Sequence, residues 1–580
     1  MNGIVLLLGG CAFLLLGYLF YSKFLSRVLG IDPKRPTPAH TMGDGVDYVP
    51  AHPTVLFGHH FAAIAGAGPI VGPVLASQFG WAAVMMWVLF GCVFVGAMHD
   101  MVTLFLSARH QGKSIGTIIE SVLGRSGKMI FLLFCFATLI LVMAEFTRLV
   151  AESFVAHPEV ATSSLLGIFE AAFFGLCVYR LKWKVSIASF IFVPLLFFIV
   201  WVGCLIPCDL TQLFGVSALT ARNIWIVVLL VYCFVASTLP VWLLLQPRDY
   251  LNAYLLYAML ALGLVGIVFA MPSVNINAFS GFVVDNAAKG PQMLFPLLFV
   301  TVACGACSGF HALVASGTTS KQLDNEAHIR PVGYGCMLLE GVVALMALVA
   351  VAWMPNDQLM AKLGAASVNP VQLFASGLAG FCGKLGIPQA GAETFMMLAV
   401  AAFLMTSVDA CTRLARFTWQ ELWSTANAAE KVEGASQQKA KGFVGVMQNM
   451  YVATTIVVAL GLVLLVGNPK MAKNLWTMFA SANQMLASLT LLTAALWLFK
   501  NHKNFWIAFL PMVFMLITSG TAVFQLFLGN LGKWLNKGFS EGGVTAIGSA
   551  VLFLLAVVLL VLGLMRLRTF VKERVERCEG

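Results

Sequence analysis

Charged residues are scarce in this sequence of 580 residues. Only 10% of them are Asp, Glu, Lys or Arg, and 60% are hydrophobic, whereas a soluble domain carries roughly 25% charged residues. This scarcity excludes an ordinary water-soluble fold and indicates a chain that uses lipid as its solvent. The formal net charge of +10 is no sign of nucleic-acid binding, because the basic residues stand in short loops between apolar runs.

The sequence also lacks the motifs of enzymes and of metal centres. It contains no nucleophile elbow, HExxH motif or P-loop, and the loops are too short to hold a soluble catalytic domain. The 13 cysteines are scattered, and Cys304 and Cys307 stand in an apolar run without a second pair. We interpret the cysteines as packing residues, and we expect neither enzyme activity nor a metal site.

Apolar runs long enough to cross a bilayer as a helix, about 20 residues, recur along the chain. We count about 15 and predict an all-α, polytopic membrane protein. The run 3–22 is followed by Lys23 and Arg27 and has no basic residue before it, so we interpret it as a retained span and not as a signal peptide. The segment 365–386 is less apolar, and we expect a re-entrant or surface helix there. The predicted spans lie near 3–22, 55–78, 81–105, 128–155, 162–180, 184–206, 222–246, 251–271, 292–318, 332–354, 391–410, 443–466, 475–499, 504–528 and 544–566.

The distribution of basic residues between these spans predicts the orientation. If the N-terminus faces outward and the connections alternate, most of the 35 Lys and Arg residues fall on the cytoplasmic side. Cytoplasmic loops of membrane proteins carry such an excess. We therefore predict that the N-terminus lies outside and the C-terminus inside.

Glycine and proline are concentrated in the second predicted span, FGHHFAAIAGAGPIVGPVLASQFG. Because proline removes a backbone donor, we expect the helix to be interrupted at Gly66–Pro69. A half-helix that starts there directs its free N–H groups and positive dipole end at an anion such as a carboxylate. The candidate substrate ligands are Gly66, Ala67, Gly68 and Gly72. The alternative is a proline kink whose glycines serve tight helix packing.

A second interruption is predicted in the span 222–246, where Ser237, Thr238 and Pro240 are expected at mid-membrane. Interrupted helices at matching positions of successive five-helix units are typical of transporters built from inverted repeats, with the substrate between them. We expect Ser237, Thr238 and Trp242 to line the wall opposite the first interruption. No residue-level identity between the two halves supports the repeat.

Ionisable and hydroxyl side chains within the predicted spans are candidates for ion coupling, because charges are costly in lipid. Ser308 and His311 share one helix face and are candidates to hold Na⁺ with the carbonyls near 65–67, or to carry a proton on His311. Glu145 and Arg148 are interpreted as a local pair, and Glu170 and Glu340 have no assigned role. The full set of coupling candidates is His59, His60, His99, Asp100, Ser308, His311 and Asp409.

With these residues identified, the chain resembles the carbon starvation protein A family of bacterial inner-membrane transporters. The resemblance is carried by DGVDYVPAHPTVLFGHHFAAIAGAGPIVGPVLA at 44–76, GAMHDMVTLFLSARHQGKSIG at 96–116, ASTLPVWLLLQPRDYLN at 236–252 and FLMTSVDACTRLARFTWQEL at 403–422. It implies nutrient uptake during carbon limitation, with pyruvate (by proton symport) or peptides as substrates. Both carry a carboxylate, and the resemblance leaves the choice between them open.

These expectations combine into a secondary active transporter with a LeuT-type core of two inverted five-helix repeats. We divide the chain into a first helix and cytoplasmic loop (1–54), a ten-helix core (55–425), and a loop with about four C-terminal helices (426–580). The substrate is a small carboxylate, pyruvate, or a short peptide, moved with H⁺ or Na⁺ and without a cofactor. A passive channel is the rival from another class. The sequence gives no indication of protein partners.

Overall fold

Helices make up almost all of the regular structure. The computed structural model describes residues 2–43, 48–240, 242–287, 290–365, 369–423, 442–466 and 475–579. The long helices are α1 (Gly3–Leu29), α2 (Pro53–Ile64), α3 (Gly68–Ala76), α4 (Trp81–Arg109), α5 (Ile115–Ala156), α6 (Pro158–Arg180), α7 (Val185–Leu205), α8 (Ala218–Thr238), α9 (Leu245–Ala270), α10 (Leu294–Thr301), α11 (Gly309–Gly317), α12 (Glu326–Ala352), α13 (Pro370–Cys382), α14 (Gln389–Leu422), α15 (Met450–Val466), α16 (Leu475–Lys500), α17 (Trp506–Lys537) and α18 (Phe539–Glu579). Strands β1 (Val283–Asn286) and β2 (Gly290–Met293) form an antiparallel hairpin, with Val283 opposite Met293.

The lengths of the helices fit a membrane. Among the described residues, 12 helices are long and apolar enough to cross a bilayer, or 13 if the bent pair α2 and α3 counts as one span. The predicted all-α, polytopic class is therefore confirmed, and the predicted number of spans is not decided by this count. The 17-residue helix α15 is apolar but shorter than these.

The first interruption lies where the sequence predicted it. α2 ends at Ile64, α3 begins at Gly68, and their axes differ by 46°. Pro69 is at the start of α3, where its missing N–H costs no helical hydrogen bond. The N–H of Gly66 turns back to the carbonyl of Ile64 at 2.8 Å instead of continuing the helix. All residues from Ala65 to Val74 are buried, so the open backbone is enclosed by protein, as membrane depth requires.

A second interruption lies between α10 and α11, at 302–308, within the predicted span 292–318. The chain also leaves the helix at 239–240 and 242–244, near the predicted position, but α9 after it has 26 residues and is long and apolar enough to cross a bilayer by itself. These residues thus separate two helices that each have the length of a span. The prediction of an uninterrupted span over 292–318 is wrong.

The two interrupted spans pack against each other in opposite directions. α2 contacts α11, and α3 contacts α10. At the crossing the backbones are so close that a methyl group on Gly68 would overlap the side chain of Cys304. A methyl group on Gly72 would lie 2.7 Å from the carbonyl oxygen of Thr301. Glycine is required at both positions because no side chain fits between the two spans.

Helix α16, from the C-terminal part of the chain, is also central. Most of its side chains are buried, and it packs against α5, α10 and α11. The 13-residue helix α13, in the region predicted to be re-entrant or superficial, is buried against α9, α12 and α14. The division into 1–54, 55–425 and 426–580 stays a prediction, and the predicted loop at 426–441 lies outside the described residues.

Candidate functional site

A fully buried group of histidines and carboxylates lies beside the two interrupted spans. Asp100 Oδ1 is 2.7 Å from His99 Nδ1, and Asp100 Oδ2 is 2.7 Å from His311 Nδ1. His311 Nε2 is 3.2 Å from Glu340 Oε2. We call His60, His99, Asp100, His311 and Glu340 the Asp100 cluster. The side chains of all five are inaccessible to solvent.

The Asp100 cluster connects four helices. Asp100 and His99 lie on α4, His311 lies on α11, and Glu340 lies on α12. His60, on α2, is held by Thr319, whose Oγ1 is 2.8 Å from His60 Nδ1. The cluster therefore includes one residue from each of the two interrupted spans, because α2 and α11 are halves of these spans.

Buried carboxylates and imidazoles in contact with one another are candidates to hold a coupling ion. An isolated charge is costly in lipid, and it persists where it is paired. Asp100 has two imidazole partners, whereas Glu340 Oε1 has no hydrogen-bond partner among the described residues. The Asp100 cluster is therefore a candidate site for ion coupling.

A second buried charged group, which we call the Arg248 cluster, consists of Arg248, Tyr232 and Asp409. Arg248 Nη1 donates hydrogen bonds to Asp409 Oδ2 and to the Tyr232 hydroxyl oxygen. The Tyr232 hydroxyl in turn donates to Asp409 Oδ2 at 2.6 Å. The three residues come from α9, α8 and α14, so the cluster ties together three spans.

His59 connects α2 to this second group. Its Nδ1 is 3.7 Å from Oδ2 of Asp249, which follows Arg248 in the chain. One turn further along α9, Asn252 Nδ2 donates to Thr406 Oγ1 at 2.9 Å. The adjacent histidines of the sequence therefore serve different clusters: His60 faces the Asp100 cluster and His59 faces the Arg248 cluster.

The first interruption is bordered by side chains from α5 and α14. A methyl group on Gly66 would lie 2.9 Å from the Phe146 ring and 3.2 Å from Ser407 Oγ. Ser407 Oγ is buried and has no hydrogen-bond partner among the described residues. Ala67 and Gly68 follow at the start of α3, and Gly72 lies one turn further, against Thr301. The structure thus keeps all four predicted substrate ligands together on one interrupted span.

Ser308 stands at the start of α11, at the second interruption. Its Oγ accepts a hydrogen bond from Asn483 Nδ2 at 3.0 Å, and Asn483 Oδ1 accepts one from the N–H of Phe310 at 2.8 Å. Asn483, on α16, therefore satisfies a free N–H group at the N-terminus of this half-helix. Asn483 was not predicted as a site residue, because the predicted core ends at residue 425 and leaves the C-terminal helices outside.

Ser237, Thr238 and Trp242 lie apart from the first interruption. Ser237 and Thr238 are the last two residues of α8, and Trp242 follows in the connection to α9. The Trp242 ring is 6.0 Å from the ring of Tyr179 and 5.7 Å from the guanidinium of Arg180, both at the end of α6. No contact among the described residues joins this group to Gly66–Gly72.

The end of α8 is instead held by two arginines of α14. Arg416 Nη1 donates to the carbonyl oxygen of Ser237 at 2.6 Å, and Arg413 Nη2 donates to those of Ala236 and Leu239 at 2.9 Å. These bonds satisfy carbonyl groups that a helix C-terminus leaves open. Glu145 and Arg148 form the predicted local pair on α5, at 2.5 Å, and Arg148 also binds Glu152.

Comparison with known proteins identifies the family. The family model described as "Carbon starvation protein CstA" matches residues 2–368 and 356–522. The peptide transporter CstA of Campylobacter jejuni is 34% identical over 579 residues, covering 89% of this chain and 79% of that protein. This chain belongs to the carbon starvation protein CstA family.

Members of the family differ in their named substrates. The pyruvate/proton symporter BtsT of Escherichia coli is 33% identical to this chain and covers 88% of it, with 79% of that protein matched. Among solved structures, a manganese transporter from Eremococcus coleocola aligns with 91% of this chain and 99% of its own, at 10% identity and a TM-score of 0.49. The family match and the helices long enough to cross a bilayer make this chain a multi-pass membrane transporter of the CstA family.

Proposed function

We propose that this protein is a secondary active transporter of the bacterial inner membrane that imports pyruvate together with a proton. The observation that supports this proposal most directly is the Asp100 cluster. Asp100, His311 and Glu340 place proton-binding groups between α4, α11 and α12, and α11 belongs to the second interrupted span. Protonation of the cluster changes the charge next to the crossing of the interrupted spans, where we place the substrate. That proximity is a physical route for coupling.

The first interruption supports the choice of a carboxylate. α3 begins at Gly68, and its N-terminal end lies in the protein interior beside Ser407. A helix N-terminus favours an anion through its free N–H groups and its dipole. We place the carboxylate at Gly66, Ala67, Gly68 and Gly72.

Two alternatives have support of their own. Peptide import is supported by the similarity to the Campylobacter jejuni relative, which is named a peptide transporter, and a peptide also carries a terminal carboxylate. Coupling to Na⁺ is supported by Ser308 and the open carbonyls of the first interruption, because hydroxyl and carbonyl oxygens are ligands that hard cations prefer. A passive channel differs from all of these because it cannot move its substrate uphill.

Uptake by purified protein in proteoliposomes tests the proposal. Labelled pyruvate, a dipeptide and a tripeptide are each offered under an imposed H⁺ gradient, an imposed Na⁺ gradient and no gradient. We expect accumulation of pyruvate above its external concentration only with the H⁺ gradient. Accumulation of peptide alone, or dependence on Na⁺ alone, would support the corresponding alternative. Flux that no gradient drives uphill would indicate a channel.

A further inference from the structure

Arg248 is a buried arginine that neither the interrupted helices nor the Asp100 cluster uses. Its side chain is 5% exposed, and it lies near the start of α9, a span of 26 residues. An arginine inside a membrane span is costly and is by default a candidate functional residue. Arg248 is not among the candidate residues selected from the sequence, although it stands in the stretch 236–252 that carries the family resemblance.

The guanidinium is oriented by its neighbours and is only partly used by them. Both of its hydrogen bonds among the described residues, to Asp409 and to Tyr232, come from Nη1. The guanidinium carbon also lies 5.2 Å from the centre of the Tyr232 ring. The edge formed by Nε and Nη2 has no hydrogen bond within the described part of the chain. Two parallel N–H groups of this kind match the two oxygens of a carboxylate.

The helices that carry the Arg248 cluster also border the first interruption. α9, with Arg248, and α14, with Asp409, both pack against α2, which ends at this interruption. Ser407 of α14 borders Gly66. Thr147, which follows Phe146 on α5, lines a small crevice with Tyr232, Val408 and Asp409.

Charged residues of both signs surround Arg248. Asp409 neutralises the guanidinium in part, and a second carboxylate, Asp249, follows directly in the chain. Asp249 Oδ2 lies 3.7 Å from His59 Nδ1. Arg413 lies one turn after Asp409 on α14, so two arginines stand against two carboxylates at this point of the protein interior.

We propose that Arg248 binds the carboxylate of the transported substrate through Nε and Nη2, with Asp409 and Tyr232 as positioning residues that orient the guanidinium. This inference rests on the proposed function, because it takes the substrate to be a carboxylate. It adds a specificity-determining residue to the site at Gly66–Gly72. It also explains why an arginine is retained in the interior of three packed spans.

The test compares the double variant Arg248→Gln/Asp409→Asn with the unsubstituted protein in proteoliposomes. Removing both charges together avoids leaving a buried charge without its partner. We expect the variant to remain monodisperse in detergent, with a KM for pyruvate raised about tenfold or more, as for a lost charge-assisted hydrogen bond, and a largely kept kcat. Pyruvamide lacks the carboxylate charge, so its competition with pyruvate uptake measures how strongly the protein prefers the charged compound. We expect the variant to lose this preference. Arg222→Gln, an arginine in a loose pair with Glu152 at 3.8 Å, is the matched control.

A second variant keeps the inference testable if the double variant does not fold. Arg248→Lys retains the charge but cannot form a bidentate hydrogen bond with a carboxylate, so we expect a higher KM for pyruvate at an unchanged melting temperature. A folded variant of either kind with the KM and the pyruvamide discrimination of the unsubstituted protein would overturn the inference. If the unsubstituted protein takes up no pyruvate, the proposed function fails first, and the inference fails with it.

Discussion

His311 Nδ1 and Asp100 Oδ2 lie 2.7 Å apart in the protein interior, with neither side chain exposed to solvent. The contact joins the second half of one interrupted span to α4, and the other ring nitrogen of His311 continues to Glu340. A proton added to or removed from this pair therefore changes a charge balance that no solvent screens. The first prediction follows from this contact.

The variant Asp100→Asn is expected to lose proton-driven accumulation of substrate. The amide keeps the shape of the side chain but removes the charge that holds two imidazoles. We expect uptake driven by the H⁺ gradient to fall more than tenfold, while exchange of labelled for unlabelled substrate, which needs no net proton movement, is retained. Measuring both fluxes on the same proteoliposomes checks the prediction. The exposed Asp357→Asn is the control, and loss of exchange together with uptake would indicate misfolding instead of uncoupling.

The variant Gly68→Ala is expected to force the two interrupted spans apart. A methyl group at this position would overlap the side chain of Cys304, and overpacking of this kind typically costs about 1–3 kcal/mol. We expect a lower melting temperature and little transport. The double variant Gly68→Ala/Cys304→Gly removes the overlapping side chain and is expected to recover most of the stability.

A glycine without neighbours provides the comparison for this test. A methyl group on Gly167 would meet no atom within 4 Å, so Gly167→Ala is expected to fold and transport normally. If Gly68→Ala behaved like Gly167→Ala, the close crossing of the two spans would not describe the working protein.

The sequence predicted the first interruption because its signal is local. Pro69 and the glycines on either side each disturb helical hydrogen bonds wherever they occur in a span. The second interruption, at 302–308, contains no proline, and its run of small residues also fits a continuous helix that packs tightly. Only the neighbouring backbone, at Gly68 and Gly72, shows why the chain opens there.

Only some residues of the two buried clusters could be predicted from the sequence, for a related reason. Single ionisable residues in apolar runs, such as Asp100 and His311, are visible in the sequence one at a time. Their partners come from helices distant in the chain, as Glu340 does for His311 and Tyr232 does for Asp409, and no spacing rule connects them. Arg248 and Asp249 were passed over because they fall between the predicted spans 222–246 and 251–271, whereas the structure places them in the first turns of α9.

The variant Asn483→Ala is expected to impair transport although α16 lies outside the predicted ten-helix core. It leaves the N–H of Phe310 without its side-chain acceptor and removes the amide donor of Ser308, and an unsatisfied buried group costs about 1–3 kcal/mol. We expect a lower melting temperature and slower uptake. Ser481→Ala on the same helix is the control, because Ser481 bonds only to the Thr477 carbonyl of its own helix. Equal behaviour of the two variants would remove Asn483 from the site.

The predicted orientation can be tested with two cysteine variants at opposite ends of α17. Asn501 is exposed in the connection between α16 and α17, beside Lys500 and Lys503, and Lys503 Nζ donates to the carbonyl of Leu29 at the end of α1. Lys537 is exposed at the other end of α17. Since most basic residues of the chain fall on the cytoplasmic side when the N-terminus lies outside, Asn501 is predicted inside and Lys537 outside. An impermeant maleimide added to intact cells is therefore expected to label Lys537→Cys and not Asn501→Cys. After the cells are opened, both are expected to react above the background of the native cysteines. The reverse labelling pattern would show that the predicted orientation is wrong and that the connection at Asn501 faces outward.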